Sequence, residues 1–141
     1  MGFLIDTNVL SELRKGLKAN VGVQNWFSNA DSNGLYISVL TLGEIRQGIE
    51  QLKRRDLQAS TALEVWLKQI EIASARLILP VTQAIADRWG YINVPDKMPV
   101  IDGFLAATAL VHDLTLVTRN VRDVERSGVK LLNPFSEESR P

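Results

Sequence analysis

The chain of 141 residues carries 16 lysines and arginines against 16 aspartates and glutamates, with 45% hydrophobic residues and no cysteine. This length fits one domain with a real core, and the lack of cysteine excludes disulfides and thiolate metal sites. The balanced charge argues against nucleic-acid binding through an overall positive charge, although local basic patches exist. No apolar run approaches the roughly 20 residues of a membrane span. Asp6 interrupts the first apolar run early, so we expect a soluble, cytoplasmic protein.

Short strands and amphipathic helices alternate in the first half of the chain. Strands are predicted at residues 3–5 and 35–37, and helices at residues 7–18, 21–30, 39–52 and 56–75. In the third of these helices, Leu42, Ile45, Ile49 and Leu52 recur at helical spacing. Because the helix at residues 39–52 is followed closely by the helix at residues 56–75, the two are expected to form a helical hairpin.

The second half continues the alternation. Strands are predicted at residues 77–79, 115–118 and 129–132, and helices at residues 82–91 and 100–112. The last helix is rich in glycine and alanine, which lets it lie close to a sheet. Alternation of this kind predicts a parallel sheet covered on both faces. We expect one domain over residues 1–135 and a loose polar tail over residues 136–141.

Four acidic residues fall just beyond predicted strands or open the following helices. They are Asp6 after the first strand, Glu44 after the second, Asp102 at the start of the glycine- and alanine-rich helix, and Asp123 after the fourth strand. The carboxyl ends of parallel strands share one sheet edge, where ligands bind. We therefore expect these four side chains to lie near one another.

A cluster of carboxylates needs a compensating charge. Each close pair would repel by about 4 kcal/mol at an effective dielectric constant of 20. Oxygen ligands without histidine or cysteine suit Mg²⁺, with Mn²⁺ as a substitute, and the single His112 argues against zinc. Such a site favours hydrolysis of a phosphodiester by water.

Each acid also has a simpler structural explanation. Asp6 is a candidate helix cap, and Thr41 to Glu44 match the capping-box pattern, in which Glu44 would bond only to a backbone N–H. Asp102 would be a favourable charge at a helix N-terminus, and Asp123 would cap the short turn before Glu125. Capping alone, however, gives no reason for four acids to share one sheet edge.

Neutral polar residues accompany the acids. Thr7, Asn8, Ser38, Thr118 and Asn120 stand beside them and can hydrogen-bond to a carboxylate, a water or a phosphate oxygen. The same residue types are also common in strand-to-helix turns. Arg119 would either pair with a phosphate or neutralise the acidic cluster.

Three segments resemble the signature blocks of PIN-domain ribonucleases, in particular the VapC-type toxins of toxin–antitoxin pairs. They read FLIDTNVLSEL, SVLTLGEIRQGI and PVIDGFLAATALVHDLTLVTRNVRDV. The resemblance implies an α/β/α sandwich and metal-dependent endoribonuclease activity. It also implies that Asp6, Glu44 and Asp102 are the core metal-binding acids. Asp123 is then the fourth metal-binding acid. Some family members carry this acid three positions earlier, where this chain has Asn120, which would be a hydrogen-bonding neighbour.

The resemblance further implies a homodimer and a cognate VapB-like antitoxin. A groove flanked by helices 39–52 and 56–75 would receive RNA or the antitoxin, with Arg46 and Arg119 as candidate contacts. Two alternatives stand beside this interpretation. A haloacid-dehalogenase-type phosphatase would use Asp6 as nucleophile, but it needs a second acid where Asn8 stands. A catalytically silent PIN-like binding module would retain the pocket without activity.

Overall fold

The computed structural model describes residues 2–136. Within them the chain forms one sheet of five strands in the order β3-β2-β1-β4-β5, and all neighbouring strands are parallel. The strands are β1 (Phe3–Ile5), β2 (Leu35–Ser38), β3 (Ile78–Leu79), β4 (Thr115–Val117) and β5 (Leu131–Leu132). The chain winds outward from β1 to β3 and returns to β4 on the other side of β1. The strand order therefore reverses between β1 and β4, where ligands bind in sheets of this kind.

Seven α-helices connect and follow the strands within the described residues. They are α1 (Thr7–Leu13), α2 (Val21–Asn29), α3 (Val39–Lys53), α4 (Leu57–Ala73), α5 (Gln83–Ile92), α6 (Val100–His112) and α7 (Val121–Val124). Short 3₁₀ turns cover Gly16–Lys18, Ser32–Gly34 and Glu125–Ser127. None of the helices in residues 2–136 is both long and apolar enough to cross a bilayer.

Most predicted elements are confirmed, with differences at their ends. The helix predicted over residues 7–18 stops at Leu13, because Gly16 takes a φ of 61°, a left-handed conformation that favours glycine. The strand predicted from residue 129 begins only at Leu131. The predicted hairpin is present, since α3 and α4 pack along their lengths through Ile45, Ile49 and Leu67.

The two faces of the sheet bury different residues, because successive side chains of a strand point to opposite sides. Leu4 and its neighbour Leu116 pack against α6 through Leu105. Ile5 and its neighbour Val117 pack on the opposite face in a second cluster with α1, α2 and α4. Helices therefore cover both faces of the sheet, which confirms the predicted three-layer α/β/α sandwich.

The end of the described chain is attached to the domain. Ser136, the first residue of the predicted loose tail, exchanges two hydrogen bonds with Asn20. The remainder of the predicted tail, residues 137–141, lies outside the described residues.

Candidate metal centre

Asp6 lies at the point where the strand order reverses. Its backbone N–H donates to the carbonyl of Val117 at 2.9 Å, which extends the pairing of β1 with β4 by one residue. Its side chain is only 5% exposed. The chain turns into α1 directly after Asp6, whose Oδ1 accepts from the N–H of Thr7 at 2.7 Å. The predicted capping role of Asp6 is thus confirmed, and it leaves the other carboxylate oxygen for further contacts.

The second oxygen of Asp6 faces β4. Thr118 Oγ1 donates to Oδ2 at 2.7 Å, and Asn8 Nδ2 donates to the same atom at 3.3 Å. Burial raises the pKa of Asp6, while the hydrogen bonds from Thr118 and Thr7 oppose this by stabilising the charged form. The carboxylate of Asp6 is therefore held in one orientation by residues of α1 and by Thr118, which follows β4.

Glu44 reaches the site from the second turn of α3. The hydroxyl of Thr7 donates to Glu44 Oε1 at 2.5 Å. The N-cap of α3 is Ser38, whose Oγ accepts from Leu40 N–H at 3.0 Å. The capping box considered for Thr41 to Glu44 is therefore wrong, because the helix begins at Val39, two residues before Thr41, and Glu44 bonds across to α1 instead.

Asp102 lies half-buried in the first turn of α6. The position of this helix depends on its close approach to α5. A Cβ atom added at Gly103 would lie 3.1 Å from Nε1 of Trp89. The Trp89 ring stacks on Phe104 with a centroid distance of 4.7 Å. Burial, and after it the negative charges of Asp6, Asp123 and Glu44 in that order, together raise the pKa of Asp102 to about 6.

Asp123 lies exposed in α7, which follows β4. Its backbone N–H donates to the carbonyl of Asn120 at 3.2 Å, and the N–H of Asn120 donates to Thr118 Oγ1 at 3.0 Å. These bonds tie α7 to the Asp6 pocket. Of the two residues considered for the fourth acid, Asp123 brings a charge that acts on Asp102, whereas Asn120 is neutral.

The carboxylates form an open site rather than a closed cage. In residues 2–136, no three acidic or histidine side chains already converge closely enough to enclose an ion. The pKa of Asp102 nevertheless responds to all three other acids, so the four share one electrostatic neighbourhood. Mg²⁺ is usually held by one or two carboxylates and keeps several waters. The carboxylate oxygens of these four acids are suitable ligands for a hard divalent cation, and such a cation would offset the repulsion between their negative charges.

The five predicted supporting residues differ in how they meet the acids. Thr7, Asn8 and Thr118 donate from their side chains to a carboxylate, whereas Asn120 contributes backbone bonds to Thr118 and Asp123. Ser38 is fully buried and caps α3. Its hydrogen bond with the N–H of Leu40 therefore supports the helix that carries Glu44 rather than a carboxylate.

The two predicted nucleic-acid contacts also differ. Arg46 forms a forked ion pair with Glu64 of α4, at 2.7 and 2.5 Å, and contacts Glu50 at 3.5 Å. The hydrogen bonds from Glu64 raise the pKa of the Arg46 guanidinium above its ordinary range. The guanidinium of Arg119 lies over the ring of Phe135, with Cζ 4.7 Å from the centroid. No local pattern indicated Glu64 or Phe135 as a partner, because each lies many residues after the arginine that it contacts.

An apolar cavity of about 360 Å³ lies between α4, α1 and α2. Its lining includes Leu10, Phe27, Trp66 and Ile70 and contains no carboxylate. Ile45, Ile49 and Leu67 fill the space between α3 and α4, and the groove expected to be flanked by this hairpin stays a prediction. The acids, not this cavity, therefore define the candidate reaction site.

The chain belongs to the PIN domain family, whose pattern it matches over residues 3–127. It is 30% identical over 140 residues to the VapC ribonuclease Y4jK of Sinorhizobium fredii, with 94% of this chain and 96% of that protein covered. It is also 30% identical over 140 residues to toxin FitB of Neisseria gonorrhoeae, with 95% and 99% covered. The crystal structure of FitAcB from N. gonorrhoeae superposes with a TM-score of 0.85 at 30% identity, covering 94% of this chain and 97% of that chain.

Proposed function

We propose that this protein is an endoribonuclease and the toxin of a toxin–antitoxin pair. It hydrolyses RNA phosphodiester bonds at a Mg²⁺ site formed by Asp6, Glu44, Asp102 and Asp123, where Mn²⁺ can substitute. One observation carries the site assignment: the pKa of Asp102 is raised by the charges of the three other acids, which come from three separate parts of the fold. Relatives named VapC ribonuclease and toxin FitB support the function.

Neighbouring residues hold the carboxylates of Asp6 and Glu44 in place. Asp6 is fixed by the N–H of Thr7 and the hydroxyl of Thr118, so its carboxylate cannot swing away. Thr7 also holds Glu44, which fixes α3 relative to β1. A divalent cation bound here would neutralise the acids and stabilise the charge that develops on the phosphoryl group during hydrolysis.

The antitoxin partner follows from the relatives. The structure of FitAB bound to an IR36 DNA fragment superposes with a TM-score of 0.85 at 28% identity, covering 99% of each chain. We infer that this chain likewise pairs with a VapB-like antitoxin, acts as a homodimer and works in the cytoplasm.

Cleavage of RNA by the purified protein is the direct test. The full chain is incubated with single-stranded RNA and Mg²⁺, Mn²⁺ or EDTA, and cleavage is expected only with a metal. Asp6→Asn should abolish cleavage while circular dichroism and dimer formation stay unchanged. Asp113→Asn is the matched control, since Asp113 is exposed and has a φ of 52°, which asparagine tolerates.

Two outcomes would contradict the proposal. If RNA stays intact while a phosphate monoester is hydrolysed, the protein is a phosphatase. If neither substrate is hydrolysed and expression without antitoxin leaves bacterial growth unimpaired, the protein is a silent binding module. The donor role of Asn8 towards Asp6 already argues against the phosphatase, because that position lacks the acid the mechanism needs.

A further inference from the structure

The last described residues form a strap across the N-terminus of α2. We call residues 133–136 the C-terminal strap. Asn20 Oδ1 accepts from the N–H of Ser136 at 2.8 Å, and Asn20 Nδ2 donates to the carbonyl of Ser136 at 3.0 Å. A Cβ atom added at Gly22 would lie 2.3 Å from the carbonyl oxygen of Pro134. Only glycine permits this approach, so the position of the strap depends on Gly22.

The strap places an aromatic ring beneath Arg119. Phe135 packs against the apolar cluster that contains Ile5 and Val23, which fixes its ring. The guanidinium carbon of Arg119 lies 4.7 Å from the ring centroid. A guanidinium stacked in this way keeps its charge and the N–H donors at its edge. Phe135 therefore orients Arg119 without consuming its hydrogen-bonding capacity.

The backbone of Arg119 is tied to the candidate metal centre. Its N–H donates to Asn8 Oδ1 at 3.3 Å, while Asn8 Nδ2 donates to Asp6. Its side chain runs along α1 towards Glu12. Burial opposes ionisation of Glu12, but hydrogen bonds from Lys15 and Asn20, with the charges of Lys15 and Arg119, outweigh it and lower the pKa. The guanidinium thus lies beside the site and not among the acids.

Within residues 2–136, the guanidinium of Arg119 has no carboxylate at ion-pair distance, and it acts on Glu12 only through its charge. The guanidinium of Arg46, in contrast, already forms an ion pair with both carboxylate oxygens of Glu64. A fixed, unpaired guanidinium is suited to a phosphate group, whose oxygens match its donor geometry.

We propose that Arg119, oriented by Phe135 and the C-terminal strap, binds a backbone phosphate of single-stranded RNA next to the phosphate that is cleaved. This inference rests on the proposed function. Because the guanidinium lies over Phe135 and acts on Glu12, we expect its contact to contribute to RNA binding and not to the chemical step. Contacts to phosphates position nucleic acid without reading its sequence. Arg119 is therefore a binding residue, and Phe135 is a positioning residue.

Binding is measured without cleavage by keeping EDTA present. Fluorescence anisotropy of a labelled single-stranded RNA is recorded with the full chain over a series of KCl concentrations. Arg119→Gln should raise Kd about tenfold. It should also lower the slope of log Kd against log salt by about 0.7, the value for one phosphate contact on a single strand. Arg76→Gln is the control, because Arg76 is exposed and precedes β3 at the opposite edge of the sheet.

Kinetics separate binding from chemistry. With Mg²⁺ present, Arg119→Gln should raise KM for RNA and leave kcat within about twofold of the parent. Mn²⁺ affinity, measured calorimetrically without RNA, should not change. A loss of kcat or of Mn²⁺ affinity would instead place Arg119 in the metal centre and overturn the proposal.

Variants of the strap test the positioning role. Phe135→Leu keeps an apolar anchor but removes the ring face, so it should weaken RNA binding in the same direction as Arg119→Gln. Phe135→Tyr keeps the ring face and should bind RNA like the parent. Gly22→Ala displaces the strap from a distance and should also weaken binding. If Phe135→Leu and Gly22→Ala remain folded and bind RNA like the parent, Phe135 does not position Arg119.

The remaining outcomes are distinct. If Arg119→Gln binds RNA with the Kd and salt slope of the parent, the inference is overturned while the proposed function stands. If the same variant loses only its affinity for the antitoxin, Arg119 contacts protein and not RNA, which also overturns it. A parent protein that neither binds nor cleaves any RNA would overturn the proposed function, and this inference with it.

Discussion

Thr7 connects two of the candidate metal ligands. Its hydroxyl donates to Glu44 Oε1 at 2.5 Å, and its backbone N–H donates to Asp6 Oδ1 at 2.7 Å. One residue at the start of α1 therefore fixes a carboxylate on β1 and a carboxylate on α3. The spacing between the two acids depends on this residue.

Removal of the Thr7 hydroxyl should weaken metal binding. Thr7→Val keeps the shape of the side chain but frees Glu44, so Mn²⁺ affinity is expected to fall about tenfold, as for other changes around metal ligands. Thr7→Ser keeps the hydroxyl and should bind Mn²⁺ nearly as well as the parent. Isothermal titration calorimetry measures both. Equal affinities in Thr7→Val and the parent would show that Glu44 does not need this bond.

Replacement of Thr118 should affect stability and the ionisation of Asp6 together. Thr118 is 1% exposed, and its hydroxyl donates to Asp6 and accepts from the N–H of Asn120. Thr118→Val should lower the free energy of unfolding by about 1 to 3 kcal/mol, because buried polar partners lose their bonds. It should also raise the pKa of Asp6, since the lost bond stabilised the charged form. The acidic limb of the kcat/KM profile should then move to higher pH, while Thr118→Ser restores it.

The raised pKa of Asp102 makes the metal-free protein less stable as pH rises. The folded protein has a pKa of about 6 at this group, against 3.8 as its ordinary value. The folded state therefore holds the proton more tightly than the unfolded state between these values. By linkage, the stabilisation is complete below about pH 3.8 and is lost as pH rises through about 6. A bound cation reverses this loss, because it favours the charged carboxylate.

Asp102→Asn should remove this pH dependence. In EDTA, the variant is expected to have a higher Tm than the parent at pH values above the folded pKa, and a smaller fall in Tm through that range. Adding Mn²⁺ should raise the Tm of the parent but hardly that of the variant. Thermal melts with the Asp113→Asn control measure both effects. A parent whose metal-free Tm is higher above that range than below it would contradict the assignment.

Two glycines in helices should respond differently to alanine. Gly48 of α3 has no atom within 4 Å of an added Cβ, so Gly48→Ala should stabilise the protein by about 0.5 to 1 kcal/mol. The Cβ of Gly103→Ala would lie 3.1 Å from Trp89 Nε1, whose ring is held by Phe104. This crowding should cancel the gain. Urea unfolding measures the free energy of unfolding of both variants. An equal gain in stability at both positions would show that α5 moves to accommodate the added methyl group without strain.

The strands and most helices could be predicted because each rule involved is local. Leu42, Ile45 and Ile49 repeat at helical spacing, and the structure buries this face in α3. The clustering of Asp6 with Asp102 was also predictable, because the ends of parallel strands and the helices that follow them meet at one edge. The break after Leu13 was not expected, since it depends on the left-handed conformation of Gly16.

Side-chain partners from distant parts of the chain could not be predicted. Arg46 pairs with Glu64 across two helices, 18 positions away. Phe135 lies beneath Arg119 only because the strap returns to α2. The capping-box pattern at Glu44 was misleading, because Ser38 starts the helix earlier. Local patterns indicate where an element lies, but they carry no information on which side chains meet across elements.

The order of the strands has a consequence during protein synthesis. The hydrogen bond between Asp6 and Thr118 joins residues 112 positions apart, and β4 is inserted next to β1 only after most of the chain exists. A growing chain on the ribosome therefore holds Asp6 before Asp102, Thr118 and Asp123 have been made. Assembly of the site is delayed until β4 has emerged and can pair with β1.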